Sequence, residues 1–165
     1  MEEVRSKILV LGIGNLVMSD DGVGVKVVQR LQREYRFADT VEIMDGGTLG
    51  LDLLPKLEGI DRLIIVDAVE TGQSPGTCVR LSGDELPIAL ETKVSPHQMG
   101  LKDLLSVAEL MGHAPREMVL IGVQPGSIEM DTELTPEVEV EVDRLLDNVL
   151  NELKIFGIEP LNIGL

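Results

Sequence analysis

Apolar runs and helical stripes take turns along this chain. Lys7–Ile13 (KILVLGI) is continuously apolar, as in a strand buried on both faces, and Gly12 and Gly14 end it. Asp21–Tyr35 then predicts a helix with Val23, Val27, Val28 and Leu31 at helical spacing. Thr40–Met44 predicts a second strand, stopped by Asp45-Gly46-Gly47-Thr48. Leu49–Leu57 predicts a short helix limited by Pro55. Leu63–Ala68 (LIIVDA) is a third buried strand, and Thr77–Leu81 alternates as a strand nearer an edge would. Ser95-Pro96-His97-Gln98 has the form of a helix start, and Leu101, Leu104, Leu105 and Ala108 continue one face to a stop at Gly112. Met118–Val123 is a fifth strand. Thr135-Pro136 opens a long amphipathic helix that Gly157 and Pro160 end. Strands alternating with helices predict an α/β fold. The expected architecture is a three-layer α/β/α sandwich spanning 1–165 as one domain, with a mostly parallel, twisted, five-stranded sheet, and a loose tail is expected over 158–165.

Composition narrows the function. The 165 residues are 44% hydrophobic but only 2% aromatic, and mean hydropathy is +0.18, which argues against disorder and against a base-stacking surface. Fourteen Lys and Arg face 29 acids, for a net charge of −15, so a nucleic-acid backbone would be repelled while cations and basic peptides would be attracted. Cys78 stands alone, which rules out an internal disulfide and suits a reducing compartment. The opening Met1-Glu2-Glu3-Val4-Arg5 lacks the form of a secretion signal, and no apolar stretch reaches membrane-spanning length. A cytoplasmic protein is expected.

Three potential ligands fall where such a fold gathers its loops: Asp21 beyond the first strand, Asp67 closing the third, and His97 opening a helix. Two carboxylates and an imidazole suit a first-row divalent ion with open positions. Taken singly, each has a plainer role. Asp21 belongs to a Ser19-Asp20-Asp21 cluster able to cap the next helix, and Asp67 can cap a turn. His97, in a first helical turn, would feel the positive end of the dipole, which disfavours the imidazolium, and a neutral ring is the form that can bind metal. His113, beside Gly112, reads as a surface residue. Gly12-Ile13-Gly14 with Asp45 imitates a dinucleotide fingerprint, but Val17 replaces the third glycine, and Asp20 and Asp21 would oppose a pyrophosphate.

The ordered set Gly12-Ile13-Gly14-Asn15, Ser19-Asp20-Asp21-Gly22, Asp45-Gly46-Gly47-Thr48, Val66-Asp67-Ala68 and Ser95-Pro96-His97-Gln98 resembles the hydrogenase maturation endopeptidases over nearly the whole chain. Gly122-Val123-Gln124-Pro125 is similar to a string of that family as well. The resemblance implies a phosphorylase/hydrolase-like fold with a mixed sheet. It also implies an endopeptidase, of aspartic-type or metal-assisted mechanism, that removes the C-terminal extension of a nickel–iron hydrogenase large-subunit precursor after nickel insertion. The family's metal ligands fall on Asp21, Asp67 and His97, which are also the catalytic candidates. Some members carry Glu at the first position, where this chain has the shorter Asp21. Asp45, Gly46 and Gly47 are candidates for substrate contact or catalytic assistance. The nickel would be held by the precursor and bridged by the enzyme, and other divalent metals could substitute. Water attack aided by metal polarisation and attack aided by a carboxylate base both fit. Two other readings use the same residues: a non-catalytic nickel checkpoint or chaperone, and a nucleotide-binding oxidoreductase.

Overall fold

Alternation of apolar side chains, one residue up and the next down, builds a sheet with a core on each face. The computed structural model describes residues 6–83, 85–86 and 96–161, with the side chains of 96–100 excepted. Its strands are β1 (Ile8–Ile13), β2 (Val41–Gly47), β3 (Arg62–Ala68), β4 (Cys78–Ser82) and β5 (Glu117–Val123). They lie in the order β2-β1-β3-β5-β4, parallel throughout except for β4, which runs antiparallel to β5 at one edge. The mixed sheet and the edge position of the Thr77–Leu81 segment are both as expected.

One face carries Ile8, Val10, Ile64, Val66, Val119 and Ile121 against helices α1 (Val23–Glu34) and α5 (Val142–Ile155). The other carries Leu9, Leu11, Leu63, Ile65 and Leu120 against α2 (Leu54–Leu57) and α3 (Pro96–Leu110). Covering both faces explains why the strands read as unbroken apolar runs. Among the described residues no helix is long and apolar enough to cross a membrane.

Three predicted boundaries move. The strand expected to stop at Met44 runs on to Gly47, with a register shift opposite Gly12 and Ile13. Gly46 is buried there: a Cβ would lie 2.7 Å from Leu11 Cδ1, so a larger residue would force the packed ends of Leu11, Ile13 and Leu53 to shift. The helix expected from Asp21 starts at Val23, after a tight 3-10 turn at Ser19–Gly22. The long helix expected from Pro136 is two pieces: α4 (Pro136–Glu139) and α5, separated at Val140-Glu141. At the break the Glu141 N–H donates to the Val138 carbonyl, a tighter i→i−3 bond.

The end of α5 is as predicted. Gly157 has φ 81°, the Ile158 N–H donates to Leu153 O at 2.8 Å, and the Gly157 N–H donates to Lys154 O at 2.9 Å. This pair of bonds defines a Schellman stop, which needs a left-handed residue after the helix. Beyond it, Ile158 packs on the core and the Leu161 N–H donates to Arg36 O.

Candidate functional site

The chain leaves β1 toward β2 on one side of the sheet, and from β3 it moves the other way, so the strand order reverses between β1 and β3. Open α/β sheets form their ligand crevices at this point, beyond the carboxyl ends of the strands. Asp21 follows β1 and Asp67 is the penultimate residue of β3, so both carboxylates belong to that edge.

Glycine makes the approach possible. A Cβ on Gly24 would lie 2.0 Å from the Val66 carbonyl oxygen and 2.7 Å from that of Ile13. One on Gly14, whose φ is 142°, would lie 1.9 Å from the Asp21 carbonyl oxygen. Backbone therefore packs on backbone, seating the Ser19–Gly22 turn against β1 and the first turn of α1 against β3. The glycine pair that imitated a nucleotide fingerprint serves this packing: at Gly12 a Cβ would meet Gly24 O at 2.5 Å.

Asp21 is 2% exposed and Asp67 1% exposed, burial that a carboxylate tolerates only when it is engaged. The Asn15 N–H donates to Asp21 Oδ2 at 3.1 Å, and the Ala68 N–H donates to Asp67 Oδ1 at 2.8 Å. Asp21 does not cap α1; that position belongs to Gly22, with no side-chain bond. Asp67 shares its parity with Leu63 and Ile65, placing its side chain on the face covered by α3. A six-residue link joins the end of α3 to the start of β5, and the helix, about 22 Å long, matches the strand's rise, so its first turn returns to the carboxyl edge. His97 lies in that turn. Its ring, like the Ser95 cap, lies outside the described residues. Among the described residues no three His, Cys, Asp or Glu side chains form a metal-sized group.

Asp45, at the surface, accepts from the Gly47 N–H at 2.9 Å, fixing the bend at the end of β2. Gly47 in turn accepts from the Gly14 N–H, joining this bend to the loop that precedes Asp21. The substrate-contact candidates thus border the carboxylate edge.

Sequence reasoning missed the part that three side chains play in holding this edge in place. Asp20, fully buried, accepts from the N–H groups of Gly126 (2.7 Å), Ser127 (3.1 Å) and Thr135 (2.8 Å) and from the Thr135 hydroxyl (2.8 Å). Ser19, at φ 53°, donates from its N–H to Asp131 O and from its hydroxyl to Glu133 O. Such a backbone angle persists in a non-glycine residue only where several bonds fix it. Gln124 does the same for the loop after β3: its Oε1 accepts from both the N–H and hydroxyl of Thr71, and its Nε2 donates to Glu70. The only local signal was a pair of adjacent acids and one amide ending an apolar strand.

An open, mostly parallel α/β domain with two buried carboxylates at its switch point is the class this geometry defines. The model of the hydrogenase maturation protease family matches residues 25–152. The chain is 42% identical to the hydrogenase 2 maturation protease of Escherichia coli over 94% of its length and 95% of that protein's. It is 41% identical to the hydrogenase expression/formation protein HupD of Rhodobacter capsulatus, over 93% of its own length and 74% of the relative's. The E. coli hydrogenase maturating endopeptidase HybD superposes with a TM-score of 0.90, covering 94% of this chain and 96% of that one. A [NiFe] hydrogenase maturation protease from Thermococcus kodakarensis, 29% identical, gives 0.75 over 88% and 98%. The chain belongs to the hydrogenase maturation protease family, and it is an endopeptidase, a hydrolase of peptide bonds.

Proposed function

We propose that this endopeptidase removes the C-terminal extension of a nickel–iron hydrogenase large-subunit precursor, acting in the cytoplasm after nickel has been inserted. The observation that carries the reading is the pair of buried carboxylates, Asp21 and Asp67, brought to one sheet edge by glycine-mediated backbone contact. Together with His97 they form a donor set suited to a first-row divalent ion. Three protein ligands leave positions for groups of the precursor, so the ion is shared, and an empty precursor has nothing to share. Binding energy that exists only with the loaded precursor is what a checkpoint requires.

In the cleavage step a water oxygen bonds to the scissile carbonyl carbon and the carbon–nitrogen bond breaks. A carboxylate of the edge takes the water's proton, and the departing amine receives one. Asp45 and the backbone of Gly46-Gly47 border this edge and contact the incoming peptide.

The test compares nickel-loaded with nickel-free precursor, using wild-type enzyme and His97→Ala, and reads the C-terminus of the product by mass spectrometry. Wild type should cut only the loaded form. The variant should lose more than the 10–100-fold typical of removing a mere supporting partner. Cleavage of empty precursor, or unimpaired cleavage by the variant, would overturn the reading.

A further inference from the structure

Away from the carboxylate edge, β4 ends the sheet, and among the described residues no strand pairs with its outer side. The Gln124 N–H donates to Thr77 O at 2.9 Å, so in the antiparallel ladder Val79 and Leu81 exchange bonds with Gly122 and Leu120. The backbone groups of Cys78, Arg80 and Ser82 then point away from β5. Glu85 occupies the Ser82 N–H at 3.3 Å. Among the described residues nothing bonds to the backbone N–H of Cys78 or Arg80. Exposed strand edges of this kind template pairing with another extended chain.

Beside that edge, beneath α5, lies a cleft of about 480 Å³. Its donors are Arg80 on the strand and Arg144, Asn148 and Asn151 on the helix. The buried Glu152 engages Nε and Nη2 of Arg80, and Glu141 engages Nε of Arg144. Among the described residues no bond uses Nη1 of Arg80. Glu152 lines the same cleft and, with Glu141, offsets the charge of the two guanidinium groups, so what the cleft offers a carboxylate is a set of donors: Arg80 Nη1, the remaining N–H groups of Arg144 and the amides of Asn148 and Asn151.

We propose that the β4 edge and this cleft seat the precursor's C-terminal tail as an added strand, its terminal carboxylate held by Arg80 and Arg144; the proposal rests on the substrate reading above. Position supports it. Val79 is in register with Gly122, which is in register with Asp67, so all three share one row across the sheet. At about 4.8 Å per strand, a tail outside β4 runs roughly 14 Å from Asp67, a gap that about four extended residues bridge. A second copy of the chain fits poorly: pairing across a two-fold axis would bring Arg80 and Arg144 toward their own counterparts and join two bodies of charge −15.

The test uses the full chain and a synthetic peptide of a large-subunit precursor's C-terminal tail, with a free or an amidated terminus. Hydrogen exchange should slow at the Cys78 and Arg80 amides when the free-acid peptide binds, and amidation should weaken binding roughly tenfold. Arg144→Glu, at an exposed position, should raise the KM for loaded precursor roughly tenfold with kcat unchanged and a cooperative urea transition retained, its midpoint lowered slightly by the loss of the Glu141 pair. Unaltered exchange at saturating peptide, or an unmoved KM with cleavage intact, sinks the dock and leaves the peptidase standing. Protection of those amides that grows with protein concentration alone would mean self-pairing and overturn the proposal. Failure of the wild type to cut any loaded precursor would remove the substrate reading and the dock with it.

Discussion

Asp20 and Thr135 are bonded twice: Oδ1 of the aspartate accepts from the threonine's N–H at 2.8 Å, and Oδ2 accepts from its hydroxyl at 2.8 Å. With Gly126 and Ser127 also donating to it, one buried carboxylate ties the loop after β5 to the turn that carries Asp21. Asp20→Ala would leave four donors without their acceptor. We expect a loss of about 2–4 kcal/mol, read as a lower urea midpoint, since hydrogen bonds to charged groups outweigh neutral ones. An unchanged midpoint would show that water replaces the carboxylate at no cost.

Gly24→Ala tests the backbone contact between α1 and β3. The added methyl would overlap the Val66 and Ile13 carbonyl oxygens, and neither can move without the sheet. A cost of about 2–4 kcal/mol is expected, at the upper end of overpacking. The helix must retreat from β3, so cleavage per folded molecule should fall as well. Full activity in the folded fraction would mean that the spacing between Asp21 and Asp67 is not set here.

Arg80 and Glu152 make a coupled pair in which Glu152 is buried while Arg80 is half exposed. The guanidinium is held more firmly protonated than usual, chiefly by its hydrogen bonds to Glu152. Arg80→Met should cost about 1–3 kcal/mol, less than a fully buried pair because solvent screens one partner. Adding Glu152→Met should restore most of it. A double-mutant cycle in urea gives the coupling, and strict additivity would refute it.

Burial, and secondarily Glu141, pushes the Cys78 thiol up to about 11 from an ordinary 9.0. The folded state thus holds a proton that the unfolded chain releases, so stability is whole below pH 9.0 and declines as pH rises toward about 11. Iodoacetamide at pH 9 should alkylate the native protein at least roughly tenfold more slowly than the urea-unfolded chain, because the thiolate is the reacting form. Equal rates would contradict the protected thiol.

Much of the fold was legible because its strands are covered on both faces: the runs around Val10, Ile64 and Leu120 admit few other readings. Asp67 and the helix start at Pro96 were legible for a similar reason, since a polar residue closing an apolar run stands out. Other features depend on distant parts of the chain. Val138, Val142 and Leu145 keep one continuous stripe, so nothing local marks the break at Val140-Glu141. Asp45-Gly46-Gly47 has the composition of a stop, yet the strand continues because Gly46 fits against Leu11. Asp20 and Asp21 are indistinguishable as neighbours. Their different surroundings come from partners 106 to 115 positions away for one and six for the other.

The clamp on Asp20 sets an order of events during synthesis. A nascent chain that has emerged only as far as Val123 already contains Asp21, Asp67 and His97, but not the groups at 126, 127 and 135 that anchor the Ser19–Gly22 turn. The carboxylate edge is therefore seated only after residue 135 has emerged, and shorter nascent fragments carry Asp21, Asp67 and His97 without the clamp that holds the Ser19–Gly22 turn.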